Sequence, residues 1–163
     1  MHSYTLDEVD IKILQLLQEN ARLTNKEIGE KLHKTSSPIF DRVKRMQEFG
    51  IIRGYIAVLD HTKIDRRTMA FTHVQLKDHS GDILESFEQE IIQFDEVVEC
   101  YHMSGQYDFI LRIAVSDLES YHHFLMKKLF QLKIVGSVQS TFVMKEAKRD
   151  LGYKLTVPKR AAV

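Results

Sequence analysis

A chain of 163 residues, 44% of them hydrophobic, can bury one ordinary core or two small ones, and nothing in it argues for disorder. Lys and Arg number 23 against 23 Asp and Glu, so the formal net charge of +0 says nothing in favour of nucleic acid for the molecule as a whole. No apolar run approaches the ~20 residues that span a bilayer, and the opening MHSYTLDEVD lacks the basic-then-apolar order of a signal peptide; a single cysteine, Cys100, excludes an internal disulfide, so a cytoplasmic protein is expected.

In chain order, LDEVDIKILQLLQEN (residues 6–20) places Val9, Ile13, Leu16 and Leu17 on one helical stripe, with acidic residues in the first turn where the helix dipole favours them. Thr24 then precedes a short helix and has Glu27 three residues on, a capping box that satisfies orphan amides at both positions. Ile28 and Leu32 form the inner face of that helix. A second start follows at once: Ser36 or Ser37 suits a cap, and Pro38 suits the first helical position, where no backbone donor is needed. Phe40, Val43 and Met46 continue the apolar spacing, and Gly50 marks a left-handed stop.

Two capped helices joined by a tight turn, behind an amphipathic helix, make a helix-turn-helix whose second helix enters a DNA groove. Charge distribution supports this. Lys34, Arg42, Lys44, Arg45 and Arg53 face only Asp41 and Glu48 between residues 33 and 53, whereas residues 7 to 30 are acidic on balance. Composition alone would make that run the solvated face of an amphipathic helix; the tri-helical context turns it into a phosphate-neutralising footprint on double-stranded DNA. Ser36, Ser37, Ile39 and Arg42, near the helix N-terminus, are expected to face bases, and Lys44 and Arg45 to lie nearer phosphates.

After Gly50 the pattern changes to IIRGYIAVLD, a linking strand over 51–60, and then to a polar hinge over 61–68. From Met69 the segments MAFTHVQL, GDILESFEQEIIQF, VVECYHMS, YDFILRIAV, LESYHHFLMKKLFQ and VGSVQSTFVM read in βαββαβ order. That order builds a four-stranded antiparallel sheet with two helices on one face, the ferredoxin-like plan. The chain has no spare helix for the other face, so pairing with a second copy is expected. The fold class is therefore α+β. Its parts are a helix-turn-helix domain with the linking strand over 1–60, the hinge, a ferredoxin-like domain over 69–148, and a basic tail over 149–163 that includes Lys159 and Arg160.

The motifs LDEVDIKILQLLQENAR, SPIFDRVKRMQEFGIIRGYIAVLD and GQYDFILRI, in that order and at that spacing, resemble the Lrp/AsnC family of transcription regulators from Leu6 to about Lys148. The resemblance implies a winged helix-turn-helix and a RAM-type second domain that binds an effector and assembles dimers into higher oligomers, often octamers. It also implies amino acids bound between dimers, near the turn that here reads Ser104-Gly105-Gln106-Tyr107-Asp108. The chemistry fits: Asp108 offers an acceptor to an ammonium group, and amides beside Gly105 offer donors to a carboxylate. Tyr107 lies in the same turn, and the hydroxyl of Ser140 or Thr141 on the last strand would complete the site. By itself, Gly-x-Tyr-Asp is also an ordinary hairpin turn.

Other functions are less well supported. The histidines at 61, 73, 79, 102, 122 and 123 show no i, i+4 zinc spacing, so no metal is expected. Cys100 in VVECYHM reads as a core thiol. There is no phosphate loop, no nucleophile turn and no close pair of catalytic carboxylates, so no enzyme and no cofactor are expected. Two alternatives remain: a DNA-packaging protein of low sequence preference, and a tetrapyrrole decarboxylase, some of which resemble the same family across both domains.

Overall fold

A computed structural model describes residues 4–156, and these fall into two compact units. One comprises the described residues up to Ala57 together with those from Lys148 onward, and the other is Val58–Ala147. The part of the tail that holds Lys159 and Arg160 lies outside the described residues.

The first unit consists of three helices, α1 (Glu8–Glu19), α2 (Asn25–Leu32) and α3 (Ser36–Glu48). Asp7 caps α1, accepting from the amides of Val9 and Asp10, while Asp10 accepts from the Asp7 amide to close a capping box. Thr24 and Glu27 form the same device on α2. The start of α3 differs from the serine cap expected: Thr35 holds the cap position without a side-chain bond, which puts Ser36, Ser37 and Pro38 inside the first turn. Pro38 still costs nothing there, because the first turn has no intrahelical acceptor for its missing amide. At the other end Gly50, at φ 70°, closes α3 in a Schellman motif, with the Ile51 amide on the Met46 carbonyl and the Gly50 amide on that of Gln47.

Ile13, Leu14 and Leu17 of α1, Ile28 of α2, and Ile39 and Met46 of α3 form the core of this unit. The turn between α2 and α3 depends on Gly29. A Cβ there would lie 2.6 Å from the Lys34 carbonyl oxygen, and the Gly29 carbonyl accepts the Lys34 amide at 2.8 Å. Only glycine lets the two backbones approach this closely. The described part of the tail bonds α1: the Gln18 side chain both accepts from the Tyr153 amide and donates to its carbonyl, and Gln15 donates to the Leu155 carbonyl. The expected strand over 51–60 forms no ladder among the described residues.

In the second unit a short 3-10 turn, His61–Ile64, leads into β1 (Thr68–Leu76), followed by α4 (Gly81–Ile91), β2 (Val97–His102), β3 (Phe109–Val115), α5 (Leu118–Lys127) and β4 (Val135–Phe142). The strands pair antiparallel in the order β2-β3-β1-β4. This is the ferredoxin-like order expected, with helices and strands trimmed by a few residues at their ends. Alternation assigns the faces: Ala70, Val74, Phe109, Leu111 and Ile113 meet Phe87 and Ile91 of α4 and Phe124 of α5 in a closed core. Met69, Phe71, His73, Ile110 and Arg112 occupy the opposite face, on which no helix of this unit packs among the described residues.

Candidate DNA and effector sites

In the first unit the inward stripe of α3 is Ile39, Arg42, Val43 and Met46. This corrects the sequence expectation at two positions. Ile39, expected to face bases, is 0% exposed in the core, while Phe40, expected in the core, is 52% exposed. One residue turns a helix by about 100°, so exchanging which of the two neighbours faces inward rotates the outer face by the same amount. The outer face is Ser36, Ser37, Phe40, Asp41, Lys44 and Arg45, all exposed.

Arg42, also expected to face bases, lies on the inward side of the helix. Its Nη1 donates to Asp10 Oδ1 at 2.7 Å and to Asp7 Oδ2 at 2.6 Å. The Asp10 side chain is only 2% exposed, and its other oxygen accepts from the Tyr4 hydroxyl at 3.0 Å and the Asp7 amide. Both bonds come from Nη1 and turn the guanidinium onto α1. Arg42 therefore fixes the angle of α3 on α1. Partial desolvation pushes the Asp7 carboxyl upward, but the Asp10 amide and the Arg42 guanidinium outweigh it and hold Asp7 below the usual carboxylate range. Arg45 lies 5.1 Å from the centroid of the Tyr4 ring, and Lys44 makes a loose exposed pair with Glu48 at 3.8 Å. The sequence reading missed Asp10 and Gly29. A carboxylate between Leu6 and Ile13 on an otherwise apolar stripe was the available signal for the first.

In the second unit the hairpin between β2 and β3 carries the turn expected to hold an effector. Gly105 sits at φ 131°, a conformation that side chains disfavour, and Ser104 beside it is exposed. Asp108 already carries two structural bonds, one at each carboxylate oxygen. Its Oδ2 accepts the Leu76 amide at 2.7 Å and its Oδ1 meets His79 Nδ1 at 2.8 Å, so the carboxylate ties the hairpin to β1. Tyr107 turns onto the open face, where its ring lies 5.1 Å from that of His73 and its hydroxyl bonds Gln139.

The structure separates Ser140 from Thr141. Ser140 pairs with Thr72 on the helix-covered face and accepts from the Tyr121 hydroxyl at 2.5 Å, whereas Thr141 pairs with Phe71 and is exposed on the open face. Period-2 alternation forbids both from lining one site. Gln139, His73 and His79, which the sequence reading passed over, are the polar groups grouped with Tyr107 and Asp108. A polar cleft of about 630 Å³ between Arg66, Glu96, Asp117 and His123 contains none of the expected effector residues.

Among the described residues no group of three His, Cys, Asp or Glu side chains could hold a metal ion, and no helix is long and apolar enough to cross a membrane. Cys100 packs partly buried against the core; desolvation, then Glu88, pushes its thiol up to about 11. It is a poor nucleophile at neutral pH.

Residues 69–153 match the Lrp/AsnC ligand binding domain, and residues 6–53 match a winged helix-turn-helix DNA-binding domain. The Bkd operon transcriptional regulator of Pseudomonas aeruginosa is 34% identical over 140 residues, covering 86% of this chain and 92% of that protein. The leucine-responsive regulatory protein of Escherichia coli is 31% identical over 145 residues, covering 89% and 88%. A crystal structure of a Neisseria meningitidis transcriptional regulator in complex with L-Met superposes with a TM-score of 0.86 at 35% identity, covering 92% of this chain and 97% of that one. An AsnC family transcriptional regulator from Agrobacterium tumefaciens gives 0.85 at 32%, covering 91% and 97%.

Proposed function

The chain belongs to the Lrp/AsnC family of transcriptional regulators, and on that premise we propose that it binds specific duplex sites through the outer face of α3 and responds to an amino acid held by its second unit. The observation that carries the DNA reading is the Arg42–Asp10 lock. It leaves Ser36, Ser37, Phe40, Asp41, Lys44 and Arg45 outward on a helix whose angle is fixed. A rigid, exposed helix with cations along it is what major-groove entry requires.

The amino-acid effector is supported by the L-Met in the Neisseria structure and by the leucine response in the name of the E. coli relative. In this chain the residues assigned to it are Ser104, Gly105, Tyr107 and Asp108 of the hairpin, joined by Gln139 and by Thr141 farther along the same open face, with Ser140 withdrawn to the other face. Asp108 then contributes by holding the hairpin and its charge, with both oxygens already engaged. Assembly into dimers and on to octamers is supported by the uncovered sheet face and by the unpaired run after α3, in which Ile56 is 84% exposed. An effector at an interface between dimers shifts regulation by the difference in its affinity for two arrangements of the DNA-binding units. The protein works in the cytoplasm without an enzymatic activity of its own.

Selection of bound duplexes from a genomic fragment pool at near-physiological salt, repeated with a mixture of the common amino acids, tests this. Recovery of a few palindromic sites whose occupancy changes with the mixture is expected. Random fragments that ignore amino acids would sink both parts and leave a DNA-packaging protein.

A further inference from the structure

We propose that Phe40 is a specificity-determining residue whose ring reads the C5-methyl group of a thymine in the major groove, an inference that rests on the DNA-binding role of α3. Phe40 is 52% exposed although its neighbour Ile39 is fully buried, so this aromatic is presented outward and takes no part in the core. It lies three residues after Ser37 and four before Lys44, on the face turned away from Ile39 and Met46.

The surroundings select what the ring can meet. Phe40 forms one wall of a groove of about 660 Å³ in the first unit, with Leu23, Val43, Lys44, Gln47 and Tyr55 around it. Asp41, exposed beside it, repels phosphates, so this stretch of α3 faces base edges, while Lys44 is placed to meet the backbone. Of the four bases only thymine offers an apolar group in the major groove, its C5-methyl, and aromatic contact with that methyl is an established mode of direct readout. A ring flanked by a hydroxyl and a cation therefore fits a thymine-containing step better than a phosphate or a guanine edge.

The test uses the full chain and a duplex selected by the wild-type protein from a randomised pool. Each thymine in that site is replaced in turn by uracil, which removes only the methyl group. At one position the wild type should lose roughly fourfold in affinity, the factor carried by burying one methyl, and Phe40→Ala should show no loss there. Phe40→Ala should also keep wild-type affinity for random duplex and an unchanged salt slope, because the ring neutralises no phosphate. Phe40→Gln, which keeps a side chain of similar reach without the ring, should behave as the alanine variant does and guards against a folding defect in either. Equal uracil effects in wild type and both variants would overturn the assignment to Phe40 while leaving sequence-specific binding intact. Equal loss on random duplex would make Phe40 a general contact and overturn it as well. A wild type that selects no site refutes the DNA-reading role of α3 itself, and the proposal with it.

Discussion

Arg42 on α3 and Asp10 on α1 meet at 2.7 Å with the carboxylate almost fully buried, and this pair ties α3 to the first helix. Sequence reasoning expects Arg42 to face bases; in the structure it bonds Asp7 and Asp10 of the first helix. Arg42→Ala should then destabilise the first unit by about 2–3 kcal/mol, less than the full cost of orphaning a buried charge because the Tyr4 hydroxyl and Asp7 amide still bond Asp10. DNA affinity should fall alike on selected and random duplexes. Urea denaturation with parallel binding measurements checks it, and loss confined to one base position would restore the reading role.

Gly29→Ala tests the turn. The added methyl would meet the Lys34 carbonyl at 2.6 Å, and neither backbone can withdraw without breaking the bond between the Gly29 carbonyl and the Lys34 amide. A cost of about 1–3 kcal/mol is expected, with DNA binding reduced even at temperatures where the variant is folded. A melting temperature equal to wild type would show that the turn relaxes freely.

Asp108 separates structural from ligand roles. Asp108→Ala leaves the Leu76 amide without its acceptor and should cost about 1–3 kcal/mol. Asp108→Asn retains an oxygen for that amide, so its melting temperature should stay near wild type while calorimetric binding of an effector ammonium weakens. Wild-type effector affinity in Asp108→Asn would remove the charge of Asp108 from the site.

Glu96 and Lys128 predict a pH dependence. Burial pushes the Glu96 carboxyl upward, but the ammonium of Lys128 at 2.8 Å outweighs it and leaves Glu96 below its ordinary value. A depressed folded pKa contributes stability that is fully present above the unfolded value near ~4.3 and is lost as pH falls through the folded value. Urea midpoints of wild type and Glu96→Gln should therefore differ at pH 7 and converge in acid below both values. A constant difference across that window would show that the pair contributes nothing through ionisation.

The sequence resolved the elements because their signals are local. The capping box at Thr24, glycine at 50, and the change of period from helix to strand near Met69 act within a few residues, so the helices of the first unit and the βαββαβ order were legible. The strand expected over 51–60 has the right residues and forms no ladder among the described residues, since strand propensity does not supply one. The effector turn was legible as a turn; which hydroxyl accompanies it was not, because Ser140 and Thr141 are equivalent until the register with β1 is fixed.

What the sequence determined by itself was the spacing of apolar and charged residues, and hence the kind and order of helices and strands. Tertiary structure alone decided their phase and their partners. Ile39 and Phe40 both fit a stripe through Val43 and Met46, and only packing against α1 and α2 chose Ile39 for the core. Arg42 finds carboxylates 32 and 35 residues away, and Asp108 finds an amide 32 residues away. A repeat along one chain says which residues share a face; it cannot say which face will be buried, because that free energy belongs to surfaces that meet only after the chain has folded.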